Sequence, residues 1–177
     1  MSFYKECVKR QLYLNGTNKI HLSKNPTFSG RVESLIETFP DARIVVLMRN
    51  PDETIPSLLK LMQRSWQLRG WEGAQMSRSL RALADQSFHS YTYPLEVLAR
   101  HPNTKQAIVD YRELVAQPKR TVEAVYAQLG FPMSPEFSQV LTAEEQRAKS
   151  HETTHTYRLE EFGLKSAEIH AALADLC

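Results

Sequence analysis

At 177 residues the chain is long enough to bury a single core. Apolar residues at 42% and charged residues at 24% are ordinary for a globular protein, and a net charge of +2 with scattered basic residues offers no field for nucleic acid. No stretch approaches the about 20 apolar residues of a membrane span, and the N-terminus lacks the apolar core of a signal peptide. Cys7 and Cys177 form no CxxC pair, so neither zinc nor redox chemistry is indicated. Two reduced thiols in a cytoplasmic protein fit that usage better than a bridge between the chain ends.

Without a repeat, low-complexity tract or Pro/Gly-rich linker, the chain reads as one domain over residues 1–177. Tyr4, Val8 and Leu12, with Cys7 on their flank, follow helical spacing. A chain that starts inside such a pattern suggests a further segment upstream. Lys19–Ser23 (KIHLS) is a short strand candidate, and Lys24-Asn25-Pro26-Thr27 is a polar turn in which the proline biases Asn25 away from helix. A helix is expected from Ser29 to Phe39, with Val32, Leu35, Ile36 and Phe39 on one face, ended by Pro40-Asp41. Ala42–Met48 (ARIVVLM) is a continuous β-branched run, the mark of a strand buried in a parallel sheet. Strand, helix and strand then make a βαβ unit.

A helix over Glu53–Leu68 follows, with Asp52 as its cap, Glu53 at its positive end and Pro56 awkwardly inside it. A long helix is expected over Gln75–Arg100 and a strand over Lys105–Tyr111. Pro118 opens a helix that Gly130 closes, and Ser134-Pro135 opens the next. Thr142-Ala143-Glu144-Glu145 has capping-box spacing, and a last helix starts near Ser166. Alternating strands and helices give an α/β protein with a parallel sheet.

Ligands of open parallel sheets sit beyond the carboxyl ends of the strands. Arg49 is the first polar residue after a buried strand, so it belongs at that edge. The next helix points its free N–H groups at the same place, and a guanidinium adds a planar fork of donors suited to phosphate or sulfate. Ser57 lies in the first turns of that helix, and Lys24 stands at the equivalent position after the preceding strand. Two cations and a hydroxyl are thus expected to converge on one crevice. The alternative is an α/β interaction module without catalysis, in which Arg49 makes a surface ion pair with Asp52 or Glu53.

These residues resemble the sulfotransferase superfamily, in its broad bacterial and tyrosylprotein-sulfotransferase-like branch. The similar blocks are Lys24-x-Pro26, Phe39-Pro40-Asp41-Ala42, Arg49-x-Pro51 with Ser57, the run Asp110–Val115 with Pro118, Leu129–Pro132, and Tyr157–Leu164. They cover the chain from about Lys19 to its end. The resemblance implies a three-layer α/β fold related to P-loop NTPases and a 3′-phosphoadenosine-5′-phosphosulfate donor. It further implies sulfuryl transfer to a hydroxyl or amine acceptor, without a metal. It assigns the donor's 3′-phosphate to Arg49 and Ser57, a nucleotide contact to Tyr111, and a place beside the sulfuryl group to Lys24. The loop around Lys149-Ser150-His151 would close over the nucleotide.

The family's N-terminal strand–loop–helix, an RSGTT-like cradle for the 5′-phosphosulfate, is absent from this sequence. None of Gly16, Gly30, Gly70, Gly73, Gly130 and Gly163 stands in such a loop, and no Walker A motif exists. Losing a whole cradle should cost more than the ~10²–10³ in rate that one donor is worth. The chain alone is therefore expected to have little or no transferase activity, and no general base can be assigned. A missing central strand would also leave a sheet edge open to pairing, so a homo-oligomer is among the expected partnerships. His151 and His155 have the i, i+4 spacing of zinc ligands, but the threonines beside them disfavour helix and no third ligand is evident. Trp66 and Trp71 flank Arg69 near a helix end, where a core or lid role suits them better than an acceptor pocket.

Overall fold

The computed structural model describes residues 1–148 and 159–173. Ten regular elements follow one another along them: α1 (Ser2–Asn15), α2 (Val32–Thr38), β1 (Arg43–Met48), α3 (Pro51–Gln67), α4 (Gly73–Arg100), β2 (Lys105–Asp110), α5 (Tyr111–Ala116), α6 (Pro118–Leu129), α7 (Pro135–Ala148) and α8 (Ser166–Ala172). Short 3₁₀ segments cover Pro26–Arg31 and Leu159–Phe162.

Among the described residues the sheet has two strands, β1 and β2, paired in parallel with Arg43 opposite Lys105 and Met48 opposite Asp110. The crossover between them runs through α3 and α4, as parallel strands require a long connection. Successive side chains alternate between the two faces. One face, with Ile44 and Val46, packs on Val32 of α2 and on Val97 and Leu98 of α4. On the other, Ala107 and Val109 are buried where α6 crosses β2. Helices on both faces make this a three-layer α/β arrangement. The cover is uneven: Val45 and Leu47 of β1, on the α6 side, are 48% and 46% exposed.

The strand expected at Lys19–Ser23 does not form. The segment is coil, with Ile20 and Leu22 at 71% and 92% exposure. A strand is stable only with a hydrogen-bonded neighbour, and among the described residues none lies beside it. The βαβ unit expected over residues 19–48 is therefore replaced by the β1–β2 pair. The helix expected from Ser29 is split into a 3₁₀ turn, capped by Asn25 accepting from Thr27 N–H at 3.1 Å, and α2. Thr142 starts no helix either: it lies inside α7, its hydroxyl donating to the Ser138 carbonyl.

A second core joins α3 and α4 to the C-terminal segment. Ile55, Leu59 and Ala84 pack with Leu159, Leu164, Ile169 and Leu173. Pro56 and Pro94 sit inside α3 and α4 as buried side chains, so each lost N–H bond is set against a ring packed away from water. Gly130 ends α6 in the left-handed region at φ 70°, and Pro118 opens it, both as the sequence indicates.

Candidate anion site at the carboxyl edge of the sheet

β1 and β2 end side by side. Continuing their register by one step sets Arg49 beside Tyr111, and the Arg49 guanidinium carbon lies 4.2 Å above the centre of the Tyr111 ring. The stacking holds the long side chain in one orientation and leaves its donor edge free. Arg49 makes no ion pair with Asp52, Glu53 or any other carboxylate of the described residues. On α4, Tyr91 lies near Thr54 and Arg49. Burial pushes its phenol up from the ordinary tyrosine value, while the Thr54 hydroxyl and the nearby Arg49 charge act in the opposite direction.

The first turn of α3 differs from what the sequence suggests. Asn50, not Asp52, is the cap: its Oδ1 accepts from Asp52 N–H at 3.0 Å, and its carbonyl accepts from Glu53 N–H at 3.2 Å and Thr54 N–H at 3.0 Å. Pro51 has no N–H. The leading amides of α3 are thus already satisfied, and an anion at this edge must be held by side chains and by what remains of the helix dipole. Ser57 lies in the second turn of α3, half-buried, with no hydrogen-bond partner among the described residues.

Asp52 is committed elsewhere. Its Oδ2 accepts from the Ser166 hydroxyl at 2.6 Å and lies 3.1 Å from His170 Nε2, both on α8. Its Oδ1 is buried with no hydrogen-bond partner. Lys60 of α3 adds a second tie to the C-terminal segment, 2.8 Å from Glu161. Separations of 114 and 118 residues explain why no sequence pattern could expose these contacts. Tyr91 was equally hidden, because it falls on the apolar face of α4 like any core residue.

On the next strand, Asp110 caps α5 by accepting from Arg112 N–H at 2.7 Å, and it also takes the Arg112 guanidinium. That pairing holds the Asp110 carboxyl below the usual carboxylate range and leaves Arg112 occupied.

Lys24 is not brought to Arg49 by the contacts of the described residues. It follows the coil that replaces the expected strand and lines an open groove with Tyr4, Phe28 and Arg31. Of the expected group, Arg49 and Tyr111 are the two that the strand register and the ring stacking bring together. Trp66 and Trp71 stack on each other at 5.2 Å between ring centres, closing the turn after α3. Lys149–His151, His151 with His155, Tyr157 and Cys177 lie outside the described residues, and Cys7 is a free thiol. Among the described residues no helix is long and apolar enough to cross a membrane.

Residues 1–135 match the profile described as "Sulfotransferase family". Two proteins named omega-hydroxy-beta-dihydromenaquinone-9 sulfotransferase Stf3, from Mycobacterium bovis and Mycobacterium tuberculosis, are 26% identical over 129 residues, 68% of this chain. The chain spans 31% of their length. The crystal structure of sulfotransferase STF9 from Mycobacterium avium superposes with a TM-score of 0.71 at 22% identity, covering 86% of this chain and 40% of that one. That likeness speaks to the fold.

Proposed function

The chain belongs to the sulfotransferase family, and from that premise we propose that it carries the 3′-phosphate-binding half of a site for 3′-phosphoadenosine-5′-phosphosulfate. Arg49 and Ser57 are the phosphate ligands, Tyr111 contacts the nucleotide, and Lys24 serves the sulfuryl end of the assembled site. One observation carries this reading: Arg49 stands at the carboxyl edge of the sheet, stacked on Tyr111 and unpaired with any described carboxylate. The rival, a non-catalytic module with Arg49 in a surface ion pair, needs the carboxylate partner that Arg49 lacks.

The donor, when bound, supplies an activated sulfuryl group for a hydroxyl or amine acceptor. The chain's own residues hold one end of it. The guanidinium offers two parallel N–H donors to a doubly charged group, the Ser57 hydroxyl offers a third, and the Tyr111 ring fixes the fork in place. No residue set here suits the 5′-phosphosulfate end, because none of the glycines builds a phosphate-cradling loop. Transfer by this chain alone is accordingly expected to be weak or absent. The Stf3 relatives are named for a hydroxylated acceptor, which favours a hydroxyl over an amine. A cytoplasmic setting belongs to the same proposal.

A thermal-shift titration tests it. Adenosine 3′,5′-bisphosphate at 100 times its dissociation constant should add about 2.7 kcal/mol of stability, and ADP, which lacks the 3′-phosphate, should add far less. An equal response to both nucleotides, or to neither, overturns the reading.

A further inference from the structure

We infer that Ser166 and His170 of α8 are positioning residues for the anion site: by holding the Asp52 carboxylate, they keep it from pairing with Arg49. The inference rests on the 3′-phosphate reading of Arg49. Asp52 follows Arg49 by three residues across the tight turn that Asn50 closes, so it is the nearest carboxylate in sequence to the guanidinium. A free carboxylate there would be the natural partner of an arginine whose fork is otherwise open, and it would compete with any incoming phosphate.

The competition is prevented by a joint between distant parts of the chain. Oδ2 of Asp52 takes the Ser166 hydroxyl at 2.6 Å and faces His170 Nε2 at 3.1 Å, while Ser166 Oγ and His170 Nε2 are themselves 3.4 Å apart. The other oxygen, Oδ1, is buried without a hydrogen-bond partner. A carboxylate seated this way is not in its best surroundings, since a buried charged acceptor without a donor is penalised. It stays because α8 is anchored independently: Ile169 of α8, with Leu164 and Leu173 flanking the helix, is buried against Ile55, Leu59 and Ala84. Apolar docking of α8 supplies the force, and Ser166 and His170 aim the carboxylate. Withdrawing their hydrogen bonds should turn Asp52 toward Arg49.

The test uses the whole chain and three versions of it: the parent, Ser166→Ala/His170→Ala, and that double variant with Asp52→Asn added. Affinity for adenosine 3′,5′-bisphosphate should fall about fivefold in the double variant, the effect of an exposed ion pair competing for the guanidinium. It should return to the parent value in the triple variant, because asparagine keeps the shape and removes the charge. An undiminished affinity in the double variant overturns the inference. So does a loss that Asp52→Asn fails to restore, which would mean that α8 had merely loosened. The Arg49 side-chain N–H resonance, identified by its absence in Arg49→Ala, gives a readout that needs no nucleotide. It should shift and exchange more slowly in the double variant and revert in the triple variant, and an unmoved resonance likewise overturns the inference. A parent that binds no nucleotide defeats the 3′-phosphate reading, while the resonance still decides whether Asp52 is being held away.

Discussion

The two ends of the β1–β2 ladder carry the same motif in opposite surroundings. At the amino end, the Arg43 guanidinium carbon lies 3.8 Å over the Phe131 ring; at the carboxyl end, that of Arg49 lies 4.2 Å over Tyr111. Arg43 and its cross-strand neighbour Lys105 sit by the C-terminus of α6, and the Lys105 ammonium reaches so close to Gly130 that a Cβ there would meet it at 2.8 Å. The carbonyl end of a helix favours cations, so these two charges are at rest. Arg49 faces the N-terminus of the 17-residue α3, where a cation is unfavourable and an anion is welcome. Cation–ring stacking by itself therefore says nothing of function. On the proposed reading, the polarity of the neighbouring helix end is what separates a structural arginine from a ligand-binding one.

The largest expected effect probes what the carboxyl end alone depends on. Ile169 is fully buried between α8 and α3, so Ile169→Ala should destabilise the protein by about 2–5 kcal/mol. Chemical denaturation measures this. A loss below about 1 kcal/mol would show that α8 is not anchored as described. Next comes the direct contrast between the two arginines. Arg49→Ala should weaken adenosine 3′,5′-bisphosphate binding by ~1.5–3 kcal/mol, the usual range for hydrogen bonds to a charged group. Arg43→Ala should leave that affinity unchanged and lower stability by about 0.5–1 kcal/mol through the lost stacking. Calorimetry on both variants decides, and similar losses of affinity would erase the distinction between the two ends.

The smallest effect is a pH dependence. Arg112 holds the Asp110 carboxyl below its ordinary value by side-chain and then backbone hydrogen bonds. A depressed folded value means that the stabilisation is fully present above the ordinary aspartate pKa of about 3.9 and is lost as pH falls through the lower folded one. Melting temperatures of the parent and Asp110→Asn should converge on acidification below that range. A gap that stays constant with pH would show that the pairing does not persist in solution.

Much of this was readable along the chain. The β-branched run of β1, the punctuation by Pro118 and Gly130, and Arg49 at the end of its strand all depend on neighbours within a few residues. What failed were inferences that need a partner far away. KIHLS has strand composition, but among the described residues it has no strand to pair with, so Lys24 follows a coil and not the end of a strand. Asp52 looked like a helix cap because caps are local, yet Asn50 is closer to the first free amides and α8 claims the carboxylate.

The sequence by itself determined most of the elements, the cation at the end of β1 and the kinship of its motifs, because backbone propensity, turn chemistry and spacing act over a few residues. Only the tertiary structure decided which charges remain free. It set Arg49 on Tyr111 through the β1–β2 register and drew Asp52 to Ser166 and His170. Whether a charge is spent or available depends on which distant groups folding brings within a hydrogen bond of it, and no local pattern encodes that distance.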